Sequence, residues 1–235
     1  MKHSKNKRAI IVLGPPGSGK GTQAELLAEK FNLFHLETSE IIERKLVGIQ
    51  EDDSVVVKGE KYFLIEEKRK RESGKLMSGP LIGFWMTEKI KELAEERKGI
   101  VTSGSPRTLD EAKDIIPSFK KLYGVKNIKI IWLKLGAEDV IWRNSHRKTC
   151  ELMRHPILFT KETSKLRKCP FDGSKLLIRK DDTPEAIKVR LERYEVETLP
   201  VVDYLKKEGL KIKNINGSPP PAEVFASILK ALNFK

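Results

Sequence analysis

The 235-residue sequence predicts an α/β fold in which helices cover both faces of a parallel five-stranded sheet. Three observations lead there. Short, uninterrupted apolar runs recur along the chain, as expected of strands buried on both faces. Amphipathic helical stretches alternate with them, and such alternation gives parallel pairing through crossover connections. A glycine-rich turn joins the first apolar run to the first helical pattern.

That first run is Ala9-Ile10-Ile11-Val12-Leu13, and the helical pattern after it passes through Ala24, Leu27, Ala28 and Phe31. Asn32 to Leu36 supplies a second short strand. Glu60 to Ser73 reads as a charged helix, and Ile82, Trp85, Met86, Ile90 and Leu93 stand at helical spacing within 82–96. Ile100-Val101-Thr102 is the next strand, followed by a Gly/Pro turn and a helix from Leu109. Lys129-Ile130-Ile131-Trp132-Leu133 and Ile212 to Ile215 complete the sheet. A last helix carries Phe225, Ala226, Leu229 and Leu232 on one face. Asp182-Thr183-Pro184-Glu185 marks a helix start, a capping side chain followed by proline. Residues 148–178 break the rhythm, with His, Pro, Cys and Gly among charges, and read as a small inserted lobe.

Composition narrows the functional classes. An apolar share of 39% suits a globular core rather than a disordered chain. No apolar run approaches the ~20 residues that span a bilayer. The run from Ala9 to Leu13 is shorter than the ~7 to 15 residues of a secretory signal, so a cytoplasmic protein is expected. Two cysteines make no disulfide framework. The net charge of +13 fits polyanionic nucleotide substrates. The lysines are scattered, and no basic stripe interleaved with aromatics marks a nucleic-acid surface.

Gly14-Pro15-Pro16-Gly17-Ser18-Gly19-Lys20-Gly21-Thr22 has the spacing of a phosphate loop, with Gly21 between the lysine and the hydroxyl residue. Its glycines let backbone N–H groups wrap phosphate oxygens, and the helix N-terminus adds a favourable dipole. In that geometry Lys20 reaches the β and γ phosphates, and Thr22 reaches magnesium or its waters. The fold then becomes a three-layer one of P-loop NTPase type, binding a nucleoside triphosphate. The loop alone leaves GTPases, ATPases and small-molecule kinases open.

Three motifs in order narrow that choice: GPPGSGKGTQ ending at Gln23, Gly104-Ser105-Pro106-Arg107-Thr108, and Ile178-Arg179-Lys180-Asp181-Asp182 followed by Glu185 and Arg190. Together they resemble the adenylate kinase family of nucleoside monophosphate kinases. The resemblance implies a core over 8–235, an inserted helical acceptor-binding lobe at 36–97 and an inserted lid at 148–178. It implies a monomer that moves the γ-phosphoryl of Mg·ATP to a nucleoside monophosphate, AMP foremost. Arg107 then resembles the clamp on the acceptor phosphate. Arg143 and Arg147 resemble a pair touching the phosphates of both nucleotides, and Arg179 and Arg190 a pair gripping from the other side. Thr38, Met77 and Gly104 fall among the acceptor contacts. Such a cage suits phosphoryl transfer, which needs distributed positive charge, and guanidinium forks bind phosphate bidentately. Asp181 and Asp182 resemble carboxylates that tie the lid down, or they cap the next helix.

The sequence departs from the family's pattern on the acceptor side. Where the family has Gly-Asp and then an arginine, this chain has Ser39-Glu40 and Glu43. Arg44 lies one position on, turned ~100° around a helix, and is the candidate replacement. Glu111 stands where a glutamine reads adenine, and an ionised glutamate can only accept hydrogen bonds. Ser103 replaces an aspartate that holds magnesium waters, and Ser105 replaces an aromatic. The segment between Glu43 and Gly74 is longer than the family's. In the lid, Cys150, Cys169 and Asp172 fall where zinc ligands stand in some members, with Met153 or His155 for the fourth corner. Apolar packing in place of the ion is the other reading. A kinase of another small acceptor, or a nucleotide-binding regulatory or RNA-associated protein, are the alternatives these departures leave.

Overall fold

The computed structural model describes residues 8–153, 156–178 and 182–233. In chain order the elements begin with strand β1 (Ala9–Leu13), helix α1 (Lys20–Phe31), β2 (Phe34–Glu37) and α2 (Thr38–Leu46). A hairpin of β3 (Ser54–Val57) and β4 (Glu60–Phe63) leads into α3 (Leu64–Glu72) and α4 (Gly79–Glu95). Then come β5 (Ile100–Ser103), α5 (Leu109–Tyr123), β6 (Ile128–Lys134) and α6 (Ala137–Ser145). Three short strands follow, β7 (Lys148–Cys150), β8 (Pro156–Ile157) and β9 (Leu176–Leu177). The chain closes with α7 (Pro184–Arg193), α8 (Leu199–Lys207), β10 (Ile212–Asn216) and α9 (Pro221–Leu232).

The central sheet has the order β10-β6-β1-β5-β2, and each of its pairs is parallel. Strand side chains alternate between faces, so β1 divides its apolar residues between two cores. Ala9, Ile11 and Leu13 join the cluster under α4, α5 and α8, with Trp85, Ile116, Phe119 and Leu205. Ile10 and Val12 join the cluster under α1 and α9, with Leu27, Val224 and Ile228. The expected three-layer α/β fold and its five strands are therefore present. The buried residues of α4 belong to the same cluster as the sheet face.

Two local expectations need correction. Residues 60–63 form a strand rather than the first turn of a charged helix, and the helix begins only at Leu64. The valine run of β3 pairs antiparallel with them, Val57 opposite Glu60. Lys58 and Gly59 make the two-residue turn, both with positive φ, as twisted hairpins favour. In α9 the buried stripe is Val224, Ile228 and Leu232, with Phe225 and Leu229 flanking it, while Ala226 is exposed. Thr183 caps α7 as expected, its hydroxyl accepting from the Ala186 N–H at 3.3 Å. No helix among the described residues is long and apolar enough to cross a membrane.

Ile11 sits in the middle strand with no exposed surface. Truncation to alanine there should cost about 2–5 kcal/mol, through lost transfer energy and the cavity left behind. The melting temperature should fall by roughly 4–20 °C for a chain of this size. Val47→Ala, at a position 78% exposed, should stay within about 0.5 kcal/mol of the parent in the same melts.

Candidate active site

The phosphate loop connects β1 to α1 at the carboxyl edge of the sheet, where open α/β sheets place their ligands. Gly17 has φ of 73°, and any side chain there would strike the Asn144 amide of α6. Gly19 has φ of 86° and forms the left-handed entry to α1. Both conformations suit glycine alone. Asn144 has no exposed surface and donates from Nδ2 to the Val140 carbonyl at 2.7 Å, which fixes the wall behind the loop. Ser18 Oγ is buried with no hydrogen-bond partner among the described residues. Lys20 Nζ donates to the Pro15 carbonyl at 2.8 Å. Its pKa is pushed down to about 7, first by desolvation and then by the charges of Arg107, Arg190 and Arg147. Those three arginines therefore share one electrostatic site with Lys20.

Asp182 organises two of them. Its side chain has no exposed surface, and Arg147 donates to both of its oxygens, from Nη2 at 2.8 Å to each and from Nε at 3.1 Å. Arg190 Nη1 donates to the same carboxylate at 3.0 Å. Of the two roles open to Asp182, the structure selects the ionic one, since Thr183 does the capping. Arg143 does not join this group. Its guanidinium donates to the Gly217 carbonyl at 2.8 Å and to that of Ser218, holding the loop after β10 beside the phosphate loop. Arg179 and Asp181 lie outside the described residues.

Beside Arg107 lies a pocket lined by Thr38, Ser39, Ile42, Met77, Gly104 and Glu111, as well as Arg71 and Lys75. Sequence reasoning missed these last two. The structure does not bring Arg44 to this pocket: its side chain is 75% exposed and, among the described residues, pairs with Glu40 at 4.0 Å. Glu43, about half exposed, does not by itself demand a cation, so the sequence held no clear signal for its partner. Arg71 Nη2 is that partner, 3.0 Å from Glu43 Oε1.

Glu111 faces the pocket but is already engaged. Its Oε2 accepts from the Arg107 N–H and from Ser105 Oγ, each at 2.8 Å. Burial pushes its pKa up, while those two hydrogen bonds and the Arg107 charge oppose the rise. Ser105 and Glu111 are thus one paired substitution: the hydroxyl that replaces an aromatic donates to the carboxylate that replaces an amide. Ser103 is paired in the same way, with His35 Nε2 3.0 Å from its hydroxyl.

Cys150, at the end of β7, and Cys169 and Asp172, from the connection between β8 and β9, bring their ligand atoms within 4.8 Å of one another. Cys150 Sγ donates to Asp172 Oδ2 at 3.0 Å. Met153 is 64% exposed and His155 lies outside the described residues.

A phosphate loop facing convergent arginines, with a second pocket alongside, defines a P-loop kinase of nucleoside monophosphates. The adenylate kinase family model matches residues 12–210. The chain is 31% identical over 227 residues to an adenylate kinase of Methanothrix thermoacetophila, covering 95% of this chain and 98% of that one. It is 32% identical over 223 residues to one of Chlamydia abortus, covering 95% and 96%. An adenylate kinase of Carboxydothermus hydrogenoformans is 30% identical over 224 residues, covering 95% and 98%. The chain belongs to the adenylate kinase family.

The Lys20 environment makes a titration prediction. At pH 8 a lysine with a pKa near 7 is mostly neutral, and an arriving polyphosphate favours its charged form. Binding of ATP at pH 8 should therefore take up as much as one proton. The uptake should fade toward pH 6, where Lys20 is already charged. Calorimetry in buffers of differing ionisation enthalpy reads this directly, and no uptake at pH 8 would refute the lowered pKa.

Proposed function

We propose that the chain transfers the γ-phosphoryl group of Mg·ATP to AMP by in-line displacement, giving two ADP. The observation that carries this reading is that Lys20 of the phosphate loop feels the charges of Arg107, Arg190 and Arg147, the last two held together on the buried Asp182. A cage of that kind serves a migrating phosphoryl group, whose charge spreads over its equatorial oxygens. Simple nucleotide binding does not require it. The acceptor is itself an ionised phosphate, so no general base is needed.

Each group has a role on this reading. Loop amides from Gly14 to Thr22 and Lys20 hold the donor phosphates, and Ser18 Oγ, buried and unpaired, adds a donor to that cradle. Arg107 clamps the acceptor phosphate. Arg147 and Arg190, aligned by Asp182, neutralise the transferring group. Arg143 acts through the 217–218 loop that it holds against the donor side. Magnesium suits an all-oxygen donor set, and the Thr22 and Ser103 hydroxyls would reach it or its waters while the substrate phosphates supply the rest. When bound, it neutralises phosphate charge. Residues 36–97 act as the acceptor lobe and 148–178 as the lid, closing to exclude water that would otherwise hydrolyse ATP. We read the protein as a cytoplasmic monomer.

The test is a phosphotransfer screen of purified protein with Mg·ATP against AMP, CMP, UMP and GMP, resolving every product. AMP should be the preferred acceptor. Arg107→Ala and Arg147→Ala should each lower kcat by about 10²–10³-fold, the scale seen when one transition-state donor is removed. If no monophosphate yields a diphosphate, the reading fails.

We also read Cys150, Cys169 and Asp172 as three corners of a structural zinc site in the lid. Two thiols and a carboxylate are the ligand types zinc takes, in tetrahedral sets. The purified protein should carry about one zinc per chain, and Cys150→Ser with Cys169→Ser should lose it. Elemental analysis showing the parent free of zinc would reduce the cluster to packing.

A further inference from the structure

The acceptor pocket has two walls, and only one of them carries the cation that the family resemblance implies. Arg107 stands on the wall after β5. On α2, next to the pocket-lining Ile42, Glu43 holds the place that the resemblance gives to a second arginine, and Arg44 is 75% exposed. A carboxylate alone there would repel an incoming phosphate. Yet Glu43 is not alone, because Arg71, which lines the pocket from the last turn of α3, pairs with it at 3.0 Å.

Arg71 is held in a defined place. Glu67, one turn earlier, is buried and accepts from the Ser78 N–H at 2.8 Å, Ser78 Oγ at 2.7 Å and Lys70 Nζ at 2.6 Å, tying α3 to the start of α4. The Gly74 N–H donates to the Arg71 carbonyl at 3.0 Å, and Gly74 in turn accepts through its own carbonyl from Arg193 of α7 at 2.6 Å. The β3–β4 hairpin at the other end of α3 is pinned to α5 by Lys58 and Asp114, 2.5 Å apart. Among the described residues only Nη2 of Arg71 is engaged. The other guanidinium N–H groups are available to a phosphate, which suits the planar fork.

We propose that Arg71 is the second cation of the acceptor-phosphate site, and that Glu43 is the positioning residue that aims it. The positive charge has moved from α2 to α3, and the hairpin-bearing segment between Glu43 and Gly74 carries it into place. The inference rests on the AMP-phosphorylating reading above, and the experiment separates the two.

Steady-state kinetics and AMP and adenosine binding are measured on the full chain and on Arg71→Met, Arg71→Lys, Glu43→Gln and the double variant Glu43→Arg/Arg71→Met. Loss of one charged hydrogen-bonding partner predicts an AMP KM about 10–100-fold higher in Arg71→Met, with the KM for ATP unchanged. Adenosine, which lacks the phosphate, should bind as it does to the parent. Arg71→Lys should recover part of the loss, and the double variant should recover more by restoring an arginine on α2. Glu43→Gln should raise the AMP KM several-fold. If the parent does not phosphorylate AMP, the underlying reading fails first. If it does, an unchanged AMP KM in both Arg71 variants overturns the proposal, as does an equal loss of adenosine and AMP binding. Should Arg71→Met not fold, Arg71→Lys and Glu43→Gln carry the same test.

Discussion

Lys20, Arg107, Arg147 and Arg190 act on one another across the carboxyl ends of β1 and β5, and like charges gathered in one cleft repel. The fold meets that repulsion in two ways. Asp182, with its side chain wholly buried, sits between Arg147 and Arg190 and accepts from both. A carboxylate out of water is tolerable only when its oxygens are paired, and a bidentate guanidinium does so with fixed geometry. Lys20 has no such counter-ion among the described residues. It holds a backbone carbonyl, and its affinity for a proton drops instead. Two arginines thus share one carboxylate, which offsets half of their charge and fixes their positions, while the lysine in the loop stays responsive to the phosphate that arrives.

The acceptor side follows a different rule, in which residues that depart from the family's pattern are matched by a contacting partner. Glu111 alone would be a buried carboxylate with an unsatisfied oxygen, and Ser105 alone would be a buried hydroxyl in an aromatic's place. Together they make a 2.8 Å hydrogen bond that also fixes the Arg107 N–H. Glu43 and Arg71 repeat the arrangement with charges, and Ser103 and His35 with neutral groups. Leaving a buried polar group unpaired costs about 1–3 kcal/mol, so each replacement constrains its neighbour. At Ser105 and Glu111, both buried, that constraint explains how two changes side by side leave a hydrogen-bonded pair rather than a damaged site.

The central sheet was legible because its inner strands β1, β5 and β6 are largely buried and their apolar runs have few other uses. The phosphate loop was legible because phosphate contact demands glycines, a lysine and a helix start at fixed spacing. The β3–β4 hairpin was not, since Glu60-Lys61-Tyr62-Phe63 carries charges that continue into a real helix and hide the two-residue turn before it. Arg44 was misjudged for a related reason. Sequence proximity to Glu43 suggested a substitute, whereas the cation arrives from a residue 28 positions away. Asp182 and Thr183 show the same limit at closer range. Either could cap α7, and only the folded positions of Arg147 and Arg190 assign the carboxylate to them.

Helix geometry makes the displacement of that cation intelligible. Once position 43 carries an acid, Arg44 beside it does not take its place, because successive residues turn ~100° and the α2 side chains that line the pocket are Thr38, Ser39 and Ile42. The replacement enters from another wall. A long flexible side chain on a loose loop would lose much of its benefit to ordering entropy. The hairpin reduces that loss by burying Val57, with Leu64 buried at the start of α3, and by ion-pairing its turn to α5 through Lys58. The longer segment is then a support for a single guanidinium, and Glu43, which at first looks like the loss of a binding group, becomes the partner that aims it.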